Sequence, residues 1–176
     1  PPARPSTEQR RNGLLPPFAI YERSGESALL LPVPRSVQVA PAAAWPAPGE
    51  TAVLTTPVRL DGPLTFLGAA AFAEENVLDV ETWWQATDGP ITRPLSIMAH
   101  LLTSEGQVLG IADGMGVPPI VWSAGDVIVQ RHRFPQPLEG TIGWLRTGAY
   151  WLDTMERWGV AGVPGADAIF VSLEER

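Results

Sequence analysis

Two stretches of this chain carry residue types and spacings that could do chemistry. From Leu78 to Ala86, hydrophobic and polar residues alternate, so Asp79, Glu81, Trp83 and Gln85 share one strand face and Leu78, Val80, Thr82, Trp84 and Ala86 share the other. Two carboxylates on one face invite comparison with a glycoside hydrolase pair, which needs separations of about 5 Å or about 6.5–9.5 Å. The plainer reading of Asp79 and Glu81 is a solvated face. Trp83 among them is a large ring on a face marked as wet. The apolar face of a sugar stacks on such a ring through its C–H groups. The pattern recurs in the second stretch, where Trp144 and Arg146 share a face opposite Leu145, Thr147 and Ala149. Trp83, Trp144, Arg146, Glu81 and Gln85 are therefore the candidate ligand platform. The competing reading has Trp83 covered by a loop or by the N-terminal arm, and Trp144 stacked on Arg146 or Arg133 as a cation–π pair.

Other chemistry is less well supplied. His100 and His132 are the only histidines. His100 alternates with Ile97, Ala99 and Leu101, so it faces away from their core side. Ser96 and Ser123 could serve as nucleophiles, but no G-x-S-x-G elbow presents either one. The histidines with Asp113 or Asp126 lack zinc-site spacing. Asp88, Asp113, Asp126 and Asp167 sit near loops, as calcium ligands would, without the D-x-D-x-D-G pattern. Turn chemistry accounts for them equally well. The chain has no cysteine, hence no thiolate nucleophile, thiolate metal site or disulfide. No metal or cofactor is expected, and the chain reads as a non-enzyme.

The elements that must position these residues are strands. Nineteen prolines and 17 glycines in 176 residues favour many turns and short strands over long helices. Alternation places strands at Thr51–Leu60, Leu64–Phe72, Val77–Ala86, Leu95–Thr103, Val108–Asp113, Asp126–Phe134, Thr141–Trp151 and Ala168–Leu173. Turn residues punctuate them, and Ser104–Gln107 reads as a hairpin. About eight such strands predict an all-β, two-sheet antiparallel β-sandwich, jelly-roll or immunoglobulin-like, over residues 51–176. Residues 1–50 hold ten of the prolines and read as a Pro-rich arm or linker with one or two short edge strands, at Phe18–Tyr21 and Ala28–Val33. Asp153–Trp158 could be one helical turn or a hairpin tip. Trp84 belongs to the core, and Trp122 is expected to plug the end of the sandwich.

Charge narrows the partners. All twelve basic residues are arginine, and the net charge is −7, which disfavours phosphate-backbone binding and so nucleic acid. No apolar run approaches the roughly 20 residues of a membrane helix, so this chain is not expected to insert into a membrane. Because it begins Pro-Pro-Ala, it reads as a piece of something longer.

The segments LDVETWWQA, SIMAHLLTSEGQVLGIADG, VWSAGDVIVQRHRF and GTIGWLRTGAYWLDTMERWGV resemble the C-terminal extracytoplasmic domain of bacterial polytopic membrane glycosyltransferases related to dolichyl-phosphate-mannose-dependent mannosyltransferases. The matching elements are Trp83–Ala86 for a "YWQA"-like strand, His100–Thr103 for an "HLLD" hairpin, Trp122–Asp126 for a "W..GE" turn, and Gly148–Trp151 with Met155–Arg157 for the closing strand. Gly62–Gly68 is similar to the opening strand. The resemblance runs from about Leu60 to Leu173. It departs from the pattern at Trp83, which replaces a tyrosine, and at Trp151, which replaces an acid. It implies a sandwich outside the membrane, periplasmic or on the cell surface, tethered through a membrane region N-terminal to this chain. It carries over no catalytic residue, because those lie in membrane loops. The expectation is a non-catalytic accessory domain, carbohydrate-binding through the platform above. The alternative is a structural or protein-interaction module, self-association included, with no sugar ligand.

Overall fold

The computed structural model describes residues 35–44, 51–74, 76–136 and 138–173, together with the backbone of 18–21. Among the described residues, eleven strands run β1 (Phe18–Tyr21), β2 (Ser36–Ala40), β3 (Ala52–Thr55), β4 (Val58–Arg59), β5 (Leu64–Glu74), β6 (Val77–Ala86), β7 (Leu95–Thr103), β8 (Val108–Ile111), β9 (Val127–Pro135), β10 (Ile142–Trp151) and β11 (Ala168–Ser172). They form two antiparallel sheets. Sheet A has the order β1-β9-β6-β5-β4, and sheet B the order β3-β2-β11-β10-β7-β8. The fold is the expected all-β sandwich.

Alternation builds the core. Leu78, Val80, Trp84 and Ala86 of β6 face Leu145 and Ala149 of β10, Ile97, Ala99 and Leu101 of β7, and Ile169 and Val171 of β11 across one continuous interior. Trp84 is 0% exposed and meets Phe66 edge-on at 5.0 Å. One polar chain crosses this interior. Trp84 Nε1–H donates to Thr82 Oγ1 (2.9 Å), Thr82 O–H donates to His132 Nε2 (2.9 Å), and His132 Nδ1–H donates to the Ala112 carbonyl just beyond β8 (2.7 Å). The carbonyl can only accept, so the neutral ring carries its proton on Nδ1. Burial pulls the His132 pKa down to about 4, against the opposing pull of the Ala112 hydrogen bond and Asp113.

Two expectations need correction. The stretch Thr51–Leu60 is two strands in different sheets, β3 in sheet B and β4 in sheet A, because Pro57 has no N–H to continue a ladder. Ser36–Ala40, expected to belong to the arm, is an interior strand of sheet B between β3 and β11, with Val37 and Val39 in the core. The sandwich therefore extends N-terminal of residue 51, and the edge strand expected at Phe18–Tyr21 joins it as β1 beside β9. The other expected edge strand, Ala28–Val33, lies outside the described residues. Of the two readings of Asp153–Trp158, the hairpin tip holds: the segment turns without a helix, and Arg157 bridges back to Tyr150. Trp122, 1% exposed, joins the main core as expected.

Candidate functional site

The five platform residues lie on opposite outer faces of the molecule. Glu81, Trp83 and Gln85 project from β6 on the outside of sheet A. Trp144 and Arg146 project from β10 on the outside of sheet B, since Leu145 and Ala149 between and beyond them face the core. A single ligand platform made of all five is excluded by this topology.

The described part of the sheet A face is buried. Trp83 is 4% exposed and clusters with Leu67, Val127 and Val129, so the wet ring inferred from its acidic neighbours is a buried one. Cross-strand pairing supplies its described neighbours. β6 pairs with β9, setting Trp83 opposite Val129, Glu81 opposite Arg131 and Asp79 opposite Arg133. A bulge between Phe66 and Gly68 turns Leu67 outward beside the indole. The acids that signalled water are neutralised across the strands. Arg131 Nη2 donates to Glu81 Oε1 at 3.0 Å, and Arg133 Nε and Nη2 grip Asp79 at 3.0 and 3.1 Å. Bidentate geometry of this kind holds a carboxylate in a structural role. It occupies both members of the hydrolase-like pair.

The sheet B face is built differently. One row of cross-strand neighbours reads Gln38, Phe170, Arg146, His100 and Ile111 over β2, β11, β10, β7 and β8. Arg146 Nη2 lies 2.6 Å from His100 Nδ1, and His100 Nε2 lies 3.0 Å from Asp113 Oδ1. A guanidinium can only donate, so Nδ1 accepts and the ring proton sits on Nε2, directed at Asp113. Asp113 also accepts from the Tyr150 hydroxyl at 3.1 Å and from the Ala99 N–H at 2.9 Å. The Asp113 pKa is depressed: burial would raise it, but the hydrogen bonds from His100, Ala99 and Tyr150 outweigh that. Burial raises the Tyr150 hydroxyl, and burial with nearby Arg157 lowers Arg146. A backbone strap lies on this face. Arg146 Nη1 donates to the Ala42 carbonyl while the Ala42 N–H donates to Asp167 Oδ1. Ala42, Met98, Leu102, Tyr150 and Phe170 make a small second core there, with partly buried Trp144 packed against it.

Sequence reasoning placed Trp144, Arg146 and the outward His100 correctly on strand faces. It missed Tyr150, although that residue shares the alternating face of β10 with Trp144 and Arg146. Nothing in the sequence brings Asp113, on the connection after β8, to His100. Among the described residues, no three His, Asp or Glu side chains converge as a metal-ligand set. No described helix is long and apolar enough to cross a membrane. No family model, characterised protein or solved structure matches the chain.

Proposed function

We propose that this chain is a non-catalytic β-sandwich accessory domain that binds carbohydrate on the outer face of sheet B. The observation that carries the reading is the line Asp113–His100–Arg146 lying beside the partly exposed ring of Trp144. A partly exposed indole offers the stacking half of sugar recognition. An ordered set of donors and acceptors offers the other half, reading hydroxyls. Both ring nitrogens of His100 are engaged, by Asp113 and Arg146, which supports a positioning rather than a proton-transferring role. The motif resemblance supports placing the domain outside the membrane, on a membrane glycosyltransferase-like protein.

The test is a glycan array probed with the wild-type chain, Trp144→Ala and Arg146→Ala. Binding by wild type that both variants lose supports the reading. Absence of wild-type binding removes the glycan, and binding unchanged in both variants moves the site elsewhere.

A protein-interaction reading has its own support. Ile120, Val121, Leu152 and Met155 are exposed large apolar side chains on the two loops 112–126 and 152–167, which share one end of the sandwich. Sedimentation separates the two: concentration-dependent self-association weakened by Met155→Asp, with an empty glycan array, favours this second reading.

A further inference from the structure

Residues Pro41–Ala44 follow β2 and form the strap on the outer face of sheet B. Ala44 N–H donates to Pro41 O (2.8 Å) and closes a turn. Ala42, 2% exposed, is the buried residue of the four, and two bonds dock it. Its N–H donates to Asp167 Oδ1, and its carbonyl accepts from Arg146 Nη1. Ala42 packs in the small core with Phe170, itself 0% exposed.

Arg146 is held by neutral acceptors. Nη1 meets the Ala42 carbonyl, Nη2 meets the lone pair of His100 Nδ1, and Nε is buried without a hydrogen-bond partner. It makes no ion pair among the described residues. The hold of Arg146 on the strap therefore depends on His100 keeping that lone pair.

A second proton on the ring can go only to Nδ1, because Nε2 already carries one, directed at Asp113. An N–H at Nδ1 would face the guanidinium N–H across 2.6 Å, donor against donor and cation against cation. One of the two side chains must then move. His100 is the better anchored. Asp113 holds Nε2 at 3.0 Å and is itself fixed by the Ala99 N–H and the Tyr150 hydroxyl. Those bonds depress the Asp113 pKa, so it stays ionised and attracts the charged ring. Arg146 is the partner that yields.

We propose that His100 is a proton-operated latch: protonation of its ring displaces Arg146 and releases the Pro41–Ala44 strap from sheet B. The charged and titratable groups around the ring are Arg146 and Tyr150 from β10 and Asp113 from the connection after β8. Behind Arg146 stand Arg157 and Asp167 from the connection 152–167, and the strap itself carries no charge. Release uncovers Arg146 and Phe170 in acid. The latch does not rest on the glycan reading, because its readout is the strap.

The test is hydrogen exchange of the Ala42 amide, followed by NMR on the whole chain from about pH 8 to about pH 5, where histidine changes charge. Rates are corrected for the intrinsic pH dependence of exchange. Ala42 protection should fall on the order of tenfold toward the acid end, as for the loss of one hydrogen bond to a charged group. The buried amides of Ala86 and Ile97, bonded to Asp126 O and Gly114 O, should keep theirs. The only other histidine, His132, charges only near pH 4. His100→Gln keeps an acceptor for Arg146 and cannot charge, so its Ala42 protection should stay high and flat. Arg146→Ala should leave Ala42 poorly protected across the range. Constant Ala42 protection in wild type, or an equal fall at Ala86 and Ile97, would overturn the latch without any variant. An undiminished fall in His100→Gln, or full protection in Arg146→Ala, would overturn it as well.

Discussion

The two outer faces of the sandwich start from the same sequence pattern and end as different surfaces. On each, an alternating strand presents a tryptophan and charged residues away from the core. On sheet A, β9 returns an arginine opposite each acid and valines beside the indole; the charges cancel in pairs, and Trp83 is buried. On sheet B, Arg146 meets a neutral histidine and a backbone carbonyl rather than a carboxylate, and Trp144 stays partly open. The two strands gain different cross-strand partners: arginines and valines of β9 for β6, a histidine of β7 and a phenylalanine of β11 for β10. A strand face is finished by what pairs with it.

The contrast can be broken most directly at the two tryptophans. Trp83→Ala should destabilise the domain by about 3–5 kcal/mol, as expected for emptying a buried indole site, and Trp144→Ala by roughly 1 kcal/mol. Urea unfolding measures both, and equal losses would erase the distinction between the faces. The next largest effect is expected at the ion pairs. Arg131→Ala leaves Glu81 and Asp79, both about 4% exposed, with a partner removed. A loss of about 3 kcal/mol follows. Arg146→Ala should cost less stability than Arg131→Ala while abolishing the glycan binding proposed for this face, and the reverse ranking would exchange the roles of the faces.

The interior supplies a reference for both. His132 has its pKa lowered in the fold, so the unfolded chain binds the extra proton first. Stability from this group is complete above the unfolded value near 6.5 and is lost as pH falls toward about 4. The slope is at most about 1.4 kcal/mol per pH unit across that window. Denaturation series at pH 7, 6, 5 and 4.5 should show it, and His132→Gln should flatten it. The smallest effect is expected for Tyr150→Phe. It removes one donor to Asp113, costs about 1 kcal/mol and shifts the Asp113 carboxyl upward, readable by carboxyl NMR.

Much of the fold was legible in advance because strand alternation is a local property. Leu78–Ala86 and Ile142–Trp151 each declare which side chains go inward, and the structure agrees for Trp84, Leu145 and Ala149. Ser36–Ala40 was hidden because SVQVA is short and lies between prolines, so composition outweighed alternation. The candidate site was half legible. Trp144, Arg146 and His100 could be placed on faces, but Asp113 reaches His100 from a loop, and loop position carries no period.

The sequence by itself determined the all-β class, the inward and outward sets of each long strand, and the absence of thiol chemistry. Each follows from residue type or from the two-residue period of an extended chain. Only the tertiary structure decided that Trp83 is buried, that the five platform residues divide between two faces, and that Asp113 reaches His100. Those depend on which strands pair, in which register, and on where long loops return. Such contacts join residues far apart in sequence, which no local pattern encodes.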